Sequence, residues 1–294
     1  MALGIFKPWY MYKPSNIIRR LFSRKPQARC LENVKMAWGG QLEFDIAGSI
    51  GWGAKTTGVV DLALSEVVCN LVRNGDSVLD VGANVGGITY LMARLVGKKG
   101  TVDAFEPHPV VHQILKRNRT LNLGDFGDQV TLHEVAVGSS PGKVSLLEDP
   151  DAASDGQASF HLNSEKSIAH DVQMVRLDQV VNRKRYSLMK LDVEGHELPV
   201  LEGAGRRLDD KSMENILFED HEGPTSKVFD LLTRKNYFVY SFGWELNGVK
   251  VVPIEKGNLN KKFEAPNYWA SSRNLDKDFI PGWKCLKVLD YIDI

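Results

Sequence analysis

The amino-acid sequence predicts an α/β protein, a mostly parallel sheet wound with helices and closed by an antiparallel hairpin. Three observations carry the prediction. Short apolar runs alternate with helix-patterned stretches from residue 78 to residue 235. A glycine-rich turn, Gly82-Ala83-Asn84-Val85-Gly86-Gly87, joins the first of these strands to the helix after it. Two strand-like runs, 237–242 and 249–254, then follow with a short turn between them.

The elements follow in order along the 294 residues. Residues 1–57 read as a basic, aromatic N-terminal extension that ends in a loop over 41–57, with Gly48, Gly51 and Gly53 around Trp52. The central domain spans 58–256. It starts with helical apolar spacing over 59–72, ended by Asn74-Gly75-Asp76. Strands fit at 78–81, 101–105, 130–135, 188–193 and 215–219. Helices fit at 87–96, 109–122, 197–208 and 225–235. This rhythm places the strands parallel, with helices on both faces. Residues 149–171 are rich in Ser, Asp and His without a clear period, and read as a surface loop or lid. Residues 257–294 read as a C-terminal extension with Asn267-Tyr268-Trp269, Trp283 and a final strand-like run over 286–294.

Composition narrows the function classes. The chain is 43% hydrophobic and 25% charged with zero formal net charge, so no overall bias points to nucleic acid or an acidic partner. The first 35 residues differ. Lys7, Lys13, Arg19, Arg20, Arg24, Lys25, Arg29 and Lys35 face one acid, Glu32, with Phe6, Trp9, Tyr10, Tyr12 and Phe22 interleaved. Two readings stand: aromatics packed on the core, or a surface that meets a membrane or a partner. The run lacks the apolar stretch of a secretory signal, and no segment reaches the roughly 18 apolar residues of a membrane span. Three cysteines, Cys30, Cys69 and Cys285, without close spacing argue against a disulfide framework or zinc site and make a reducing cytoplasm the default.

The turn after the first strand is the primary chemical signal. Glycines let a ligand approach the backbone, and the following helix offers unpaired N–H groups. Asn84 stands where a dinucleotide turn carries its second glycine. Pyrophosphate needs that space clear. The amino-acid half of S-adenosylmethionine (SAM) tolerates a side chain there, and Asp80 at the strand end suits an ammonium group. Glu106-Pro107 ends the second strand, where a carboxylate can accept both hydroxyls of a ribose. Glu134-Val135-Ala136 ends the third, where an adenine ring would lie. The fourth strand ends in Lys190-Leu191-Asp192-Val193-Glu194-Gly195-His196-Glu197. Alternation puts Lys190, Asp192 and Glu194 on one side. Such ionisable groups need to pair or to work: Lys190 can pair with Asp80, Asp192 or Glu219, and Glu194 or Glu197 can cap a helix. Glu219, Asp220 and His221 at the fifth strand end add to the same rim. Carboxylates on two adjacent strand ends could hold Mg²⁺, but nothing in the spacing assigns any residue as a metal ligand.

The strings VLDVGANVGG, FEPHP, EVAVG and MKLDVEGHE, in this order, resemble the FkbM family of SAM-dependent O-methyltransferases over about residues 60–270. The resemblance implies a class I, Rossmann-like methyltransferase fold with a seven-stranded sheet, and methyl transfer to a hydroxyl of a natural product, sugar or lipid-linked glycan. Carried over by motif, Asp80, Gly82, Asn84 and Gly86 would surround the methionine moiety. Glu106 and Pro107 would meet the ribose, and Glu134 and Ala136 would border the adenine. Asp192, Glu194 and Glu197 match the family's acidic string. His196 stands at a variable position of it. The N-terminal run and the tail lie outside the resemblance and would help shape the acceptor site.

A hydroxyl nucleophile must lose its proton, and Asp192, His196 and His221 are the candidate bases, with histidine best matched to neutral pH. Two other classes compete. An NAD-dependent oxidoreductase shares the turn and the ribose acid, but Asn84 and the closing hairpin disfavour it. A non-catalytic SAM-fold scaffold would have no use for the rim carboxylates.

Overall fold

The computed structural model describes residues 24–148, 158–159, 168–259, 266–276 and 278–287. The basic run over 1–23, most of the expected lid and the tail beyond 287 lie outside them. The described chain opens with a hairpin of β1 (Leu31–Lys35) and β2 (Gln41–Asp45), then helices α1 (Ser49–Thr57) and α2 (Leu62–Leu71). The expected loop over 41–57 is therefore a strand and a helix. Its glycines signal close approach: a Cβ on Gly51 would sit 2.1 Å from the Asp45 carbonyl oxygen, so only glycine lets α1 lie against β2. Asp61 caps α2, its carboxylate accepting from the Leu64 amide at 2.9 Å.

The alternating series follows: β3 (Ser77–Val81), α3 (Thr89–Val96), β4 (Thr101–Phe105), α4 (Pro109–Leu121) and β5 (Val130–His133). Next come β6 (Ala136–Val137), β7 (Gly142–Glu148), β8 (Ala158–Ser159), β9 (Ile168–Val175) and a short α5 (Leu177–Val180). The series resumes with β10 (Leu188–Leu191), α6 (Glu197–Gly203), α7 (Gly205–Asp209), β11 (Asn215–Glu219) and α8 (Lys227–Arg234). It closes with β12 (Phe238–Glu245), β13 (Gly248–Pro253), β14 (Asn267–Ser271) and β15 (Phe279–Pro281). The single helix expected over 197–208 breaks at Ala204.

The main sheet has nine strands in the order β15-β13-β12-β14-β11-β10-β3-β4-β5. Strands β5, β4, β3, β10 and β11 are parallel neighbours. The hairpin of β12 and β13 forms as expected, but β14 inserts between β11 and β12, antiparallel to both. Residues 267–271 are thus an interior strand and not part of an extension. Tyr268, Trp269 and Ala270 are buried there, and the Trp269 indole donates to Asn215 Oδ1 at 3.0 Å. With β14 and β15 added, the sheet is two strands wider than the seven expected.

Alternation along the central strands divides the core. Val78, Val102, Ala104, Leu188 and Leu217 pack with α1, α2 and α3. Leu79, Val81, Phe105, Met189, Leu191 and Phe218 pack with α6 and α8 on the other face. Each of these Val, Leu, Met and Phe side chains contributes about 1.5–3 kcal/mol on burial, which is why these strands read as continuous apolar runs. A second sheet, β6-β9-β7-β8, follows β5 in the chain. Most β9 side chains are exposed or half-buried, so no core pattern announces this sheet in the sequence, and residues 168–171 are strand where a loop was expected.

Candidate functional site

The carboxyl ends of β3, β4 and β10 open onto one cleft. The turn after β3 borders it through Gly82 and Asn84. The amides of Gly82 and Ala83 both donate to the Phe105 carbonyl, at 3.0 and 2.9 Å. A Cβ on Gly82 would lie 1.7 Å from the Asp192 carbonyl oxygen, and its φ is +79°, so the turn can pass between β4 and β10 only with glycine there. Asn84 adopts φ +50°, as its residue type allows, and its Oδ1 accepts from the Val85 amide at 2.7 Å. Gly82 and Asn84 line the cleft. Gly86 does not: it faces Tyr90 and Leu115 beneath the turn.

Glu106 stands at the centre. It is 8% exposed, lines the cleft with Pro107, and accepts from the Asn84 amide at 2.8 Å and the His108 amide at 2.9 Å. Burial pushes its carboxyl up to about 7 despite those amides. The carboxylate is thus joined directly to the glycine-rich turn, and each oxygen retains acceptor capacity toward a ligand.

Beyond Glu106 the wall is apolar: Phe105, Val135, Ala136, Val137 and Leu146. Ala136 is where the sequence places it. Glu134 is exposed and lies 4.0 Å from His112 Nε2, outside the cleft lining. Glu134 falls just past the end of β5 with its side chain out in solvent, while the next three residues line the cleft.

The opposite end is acidic. Asp192 and Glu194 line the cleft, Glu194 with φ +52°. Asp80, expected to meet the ligand's ammonium, does not line it. The carboxylate is 0% exposed, accepts from Thr89 Oγ1 at 2.6 Å and lies 3.5 Å from Lys190 Nζ. Lys190 also reaches Asp192 at 3.2 Å and donates to the Gly82 carbonyl at 2.6 Å. Burial pulls the Lys190 ammonium down, but Asp192 and Asp80 outweigh it and keep the group charged. Burial pushes Asp80 up, and Lys190 works against that. The pair therefore holds β3, β10 and the turn together and presents Asp192 to the cleft.

Glu197 braces the same end: its carboxylate accepts from the amides of Val193 and Gly195 at 3.1 and 3.2 Å, the capping role allowed from sequence. Burial, then Asp192 and Glu194, push the Glu219 carboxyl up to about 8. Glu219 lies 2.8 Å from His221 Nε2, and His221 is 69% exposed on this rim. His196 sits at the N-cap of α6 with its ring near Gly138 and Met174, away from the cleft lining. Asp220 is spent on its own turn, accepting from Glu222, Gly223 and Ser226.

The cleft residues not singled out from sequence are apolar. Phe105, Val135, Val137 and Val193 are strand-end neighbours of motif residues, and that adjacency could have found them. Ile50 from α1 and Leu146 from β7 come from distant segments and carry no sequence signal.

Comparison with known proteins bears on this site. The family model "Methyltransferase FkbM domain" matches residues 80–240, from the start of the turn to β12. The chain is 30% identical over 187 residues to "Methyltransferase 1" of Beauveria bassiana, covering 55% of this chain and 72% of that one. It is 30% identical over 172 residues to "Hexuronic acid methyltransferase AglP" of Haloferax volcanii, covering 58% of this chain and 64% of that one. Among solved structures, methyltransferase FkbM from Methylobacillus flagellatus aligns with a TM-score of 0.46 and 14% identity, over 70% of this chain and 50% of that one. The chain thus spans less than two thirds of the Haloferax protein and half of the Methylobacillus chain.

Proposed function

The chain belongs to the FkbM family of methyltransferases, and from this premise we propose that it transfers the methyl group of SAM to a hydroxyl oxygen of a small molecule by in-line displacement. The observation that carries this reading is Glu106, a buried carboxyl tied to the glycine-rich turn and open to one cleft. Its remaining lone pairs suit a ribose diol. The apolar wall from Val135 to Val137, with Phe105 and Leu146, suits a purine ring. Close approach at Gly82 and the acids Asp192 and Glu194 suit an amino-acid moiety and a cationic sulfur.

SAM supplies a methyl group already activated by its positively charged sulfur. The work left to the protein is placement, and an error of about 1 Å costs roughly 100-fold in rate. Lys190 contributes by holding Asp192 and the Gly82 carbonyl in one geometry. Asp192 borders the cleft, and His221 stands on the rim with Glu219 as its partner. In this proposal one of these two groups takes the hydroxyl proton, and His196, turned against Gly138, does not. The acceptor belongs to the class of sugar or other polyhydroxy compounds. Support comes from the rim's hydrogen-bonding groups and from the hexuronic acid in the name of the Haloferax relative.

Calorimetric titration with SAM, its demethylated product and NAD tests this reading. Micromolar binding of the first two with NAD silent supports it. Binding of NAD instead makes the oxidoreductase reading primary. Tight SAM binding with no turnover across a screen of hydroxyl acceptors favours a scaffold.

A further inference from the structure

Three side chains from three elements converge beside the loop that carries Glu106. They are His108 at the N-cap of α4, Glu148 at the end of β7 and His170 on β9. One ligand atom from each lies within 4.8 Å of the others, the only such group of His, Cys, Asp or Glu among the described residues. Glu148 Oε2 is 3.1 Å from His108 Nε2 and 2.9 Å from His170 Nε2. His108 is 2% exposed, and its buried Nε2 faces Glu148 without the in-line geometry of a hydrogen bond. The two histidine rings stand 4.7 Å apart. Glu148 and His170 keep part of their surface open to solvent.

We propose that His108 Nε2, Glu148 Oε2 and His170 Nε2 bind one divalent cation of the Zn²⁺ type, with its fourth position open to water. Two imidazoles and one carboxylate with an open place are a donor set such ions take. Mg²⁺ and Ca²⁺ prefer sites built of oxygen. The protonation states agree. Burial holds His108 toward its neutral form. Burial works against ionised Glu148, but the two histidines outweigh it and hold its carboxyl below the usual range. Metal–ligand bonds of about 2.0–2.2 Å at tetrahedral angles set the donors about 3.3 Å apart. The two histidine–glutamate pairs, at 3.1 and 2.9 Å, need to spread only by a few tenths of an ångström, and the two ring nitrogens lie within 4.8 Å of each other.

The cost lies in a proton. His108 Nδ1 faces the amides of Val110 and Val111 at 3.2 and 3.4 Å, so without metal the ring proton resides on Nε2. The cation displaces that proton to Nδ1 and breaks two long contacts, which weakens binding relative to a site already in that tautomer. The ion would tie β7 and β9 to the β4–α4 loop. One of these strands puts Leu146 in the cleft, and the loop carries Glu106.

The test uses the full chain without an affinity tag, stripped with chelator. Co²⁺ is followed by its visible absorption and Zn²⁺ by calorimetry, with no SAM present. One equivalent of Co²⁺ with four-coordinate absorption, displaced by Zn²⁺, is the expected result. His170→Ala and Glu148→Gln should weaken it at least tenfold, and His133→Ala, which pairs with Asp103 elsewhere, should leave it intact. Absence of wild-type binding at millimolar metal, or wild-type affinity retained in both ligand variants, overturns the proposal. Should a variant fail to fold, the wild-type stoichiometry and a Zn²⁺-dependent rise in Tm decide the matter. Because the readouts involve neither SAM nor turnover, the outcome is independent of the methyltransferase reading.

Discussion

Glu106→Gln combined with a pH series isolates the residue on which cofactor binding is proposed to turn. Its carboxyl moves from an ordinary 4.5 up to about 7, chiefly through burial. The folded protein therefore binds this proton more tightly than the unfolded chain. The sign follows: between pH 4.5 and 7 the native state holds more protons, so stability falls as pH rises, by about 3 kcal/mol once the group is fully ionised. A ligand that donates hydroxyls to the carboxylate favours the ionised form. SAM affinity should thus rise from pH 6 to pH 8, changing up to about tenfold per unit below pH 7. Calorimetry at pH 6 in two buffers of different ionisation enthalpy should register proton release on binding. In Glu106→Gln an acceptor becomes an amide that opposes either the Asn84 or the His108 N–H. One charge-assisted bond is worth about 1.5–3 kcal/mol, so Kd should rise roughly 10- to 100-fold and the pH slope should flatten. Wild-type affinity independent of pH over 6–8, with an unchanged Kd in Glu106→Gln, would refute the reasoning.

Three further outcomes follow from the same geometry. Gly82→Ala places a Cβ 1.7 Å from the Asp192 carbonyl and should cost several kcal/mol and abolish SAM binding, whereas Gly53→Ala, with open space around it, should leave Tm unchanged or slightly raised; thermal melts compare the two. Lys190→Met leaves the fully buried Asp80 without its cation and should destabilise by about 3–5 kcal/mol, more at high pH than at low, with partial recovery in the Asp80→Asn background, as read by denaturant melts. His221→Ala should lower turnover with SAM affinity held, while His196→Ala should leave turnover near wild type; a reversed pattern would exchange their roles.

The two halves of the site were legible to different degrees. Gly82, Asn84 and Glu106 announce themselves because each obeys a local rule: a backbone conformation, a tolerance for it, an acid at a strand end. Asp192 and Ala136 sit in the cleft for the same reason. Asp80 and Glu134 share the motifs but not the cleft, because what a side chain faces at a strand end depends on its neighbours. Lys190 claims Asp80, and solvent claims Glu134. The Gly48–Gly53 stretch read as loop since glycine breaks helices in isolation, while packing against Asp45 makes it the condition for one.

The sequence by itself determined the parallel core of the sheet, the turn after its first strand and the acid that follows. Periodicity and local backbone preference act over a few residues and do not depend on what lies far along the chain. Only the tertiary structure decided that residues 267–271 enter the sheet between β11 and β12, that Ile50 and Leu146 complete the cleft, and that His108, Glu148 and His170 meet. Those contacts join segments separated by tens of residues. Their energy comes from burial and charge pairing in three dimensions, which no local pattern encodes.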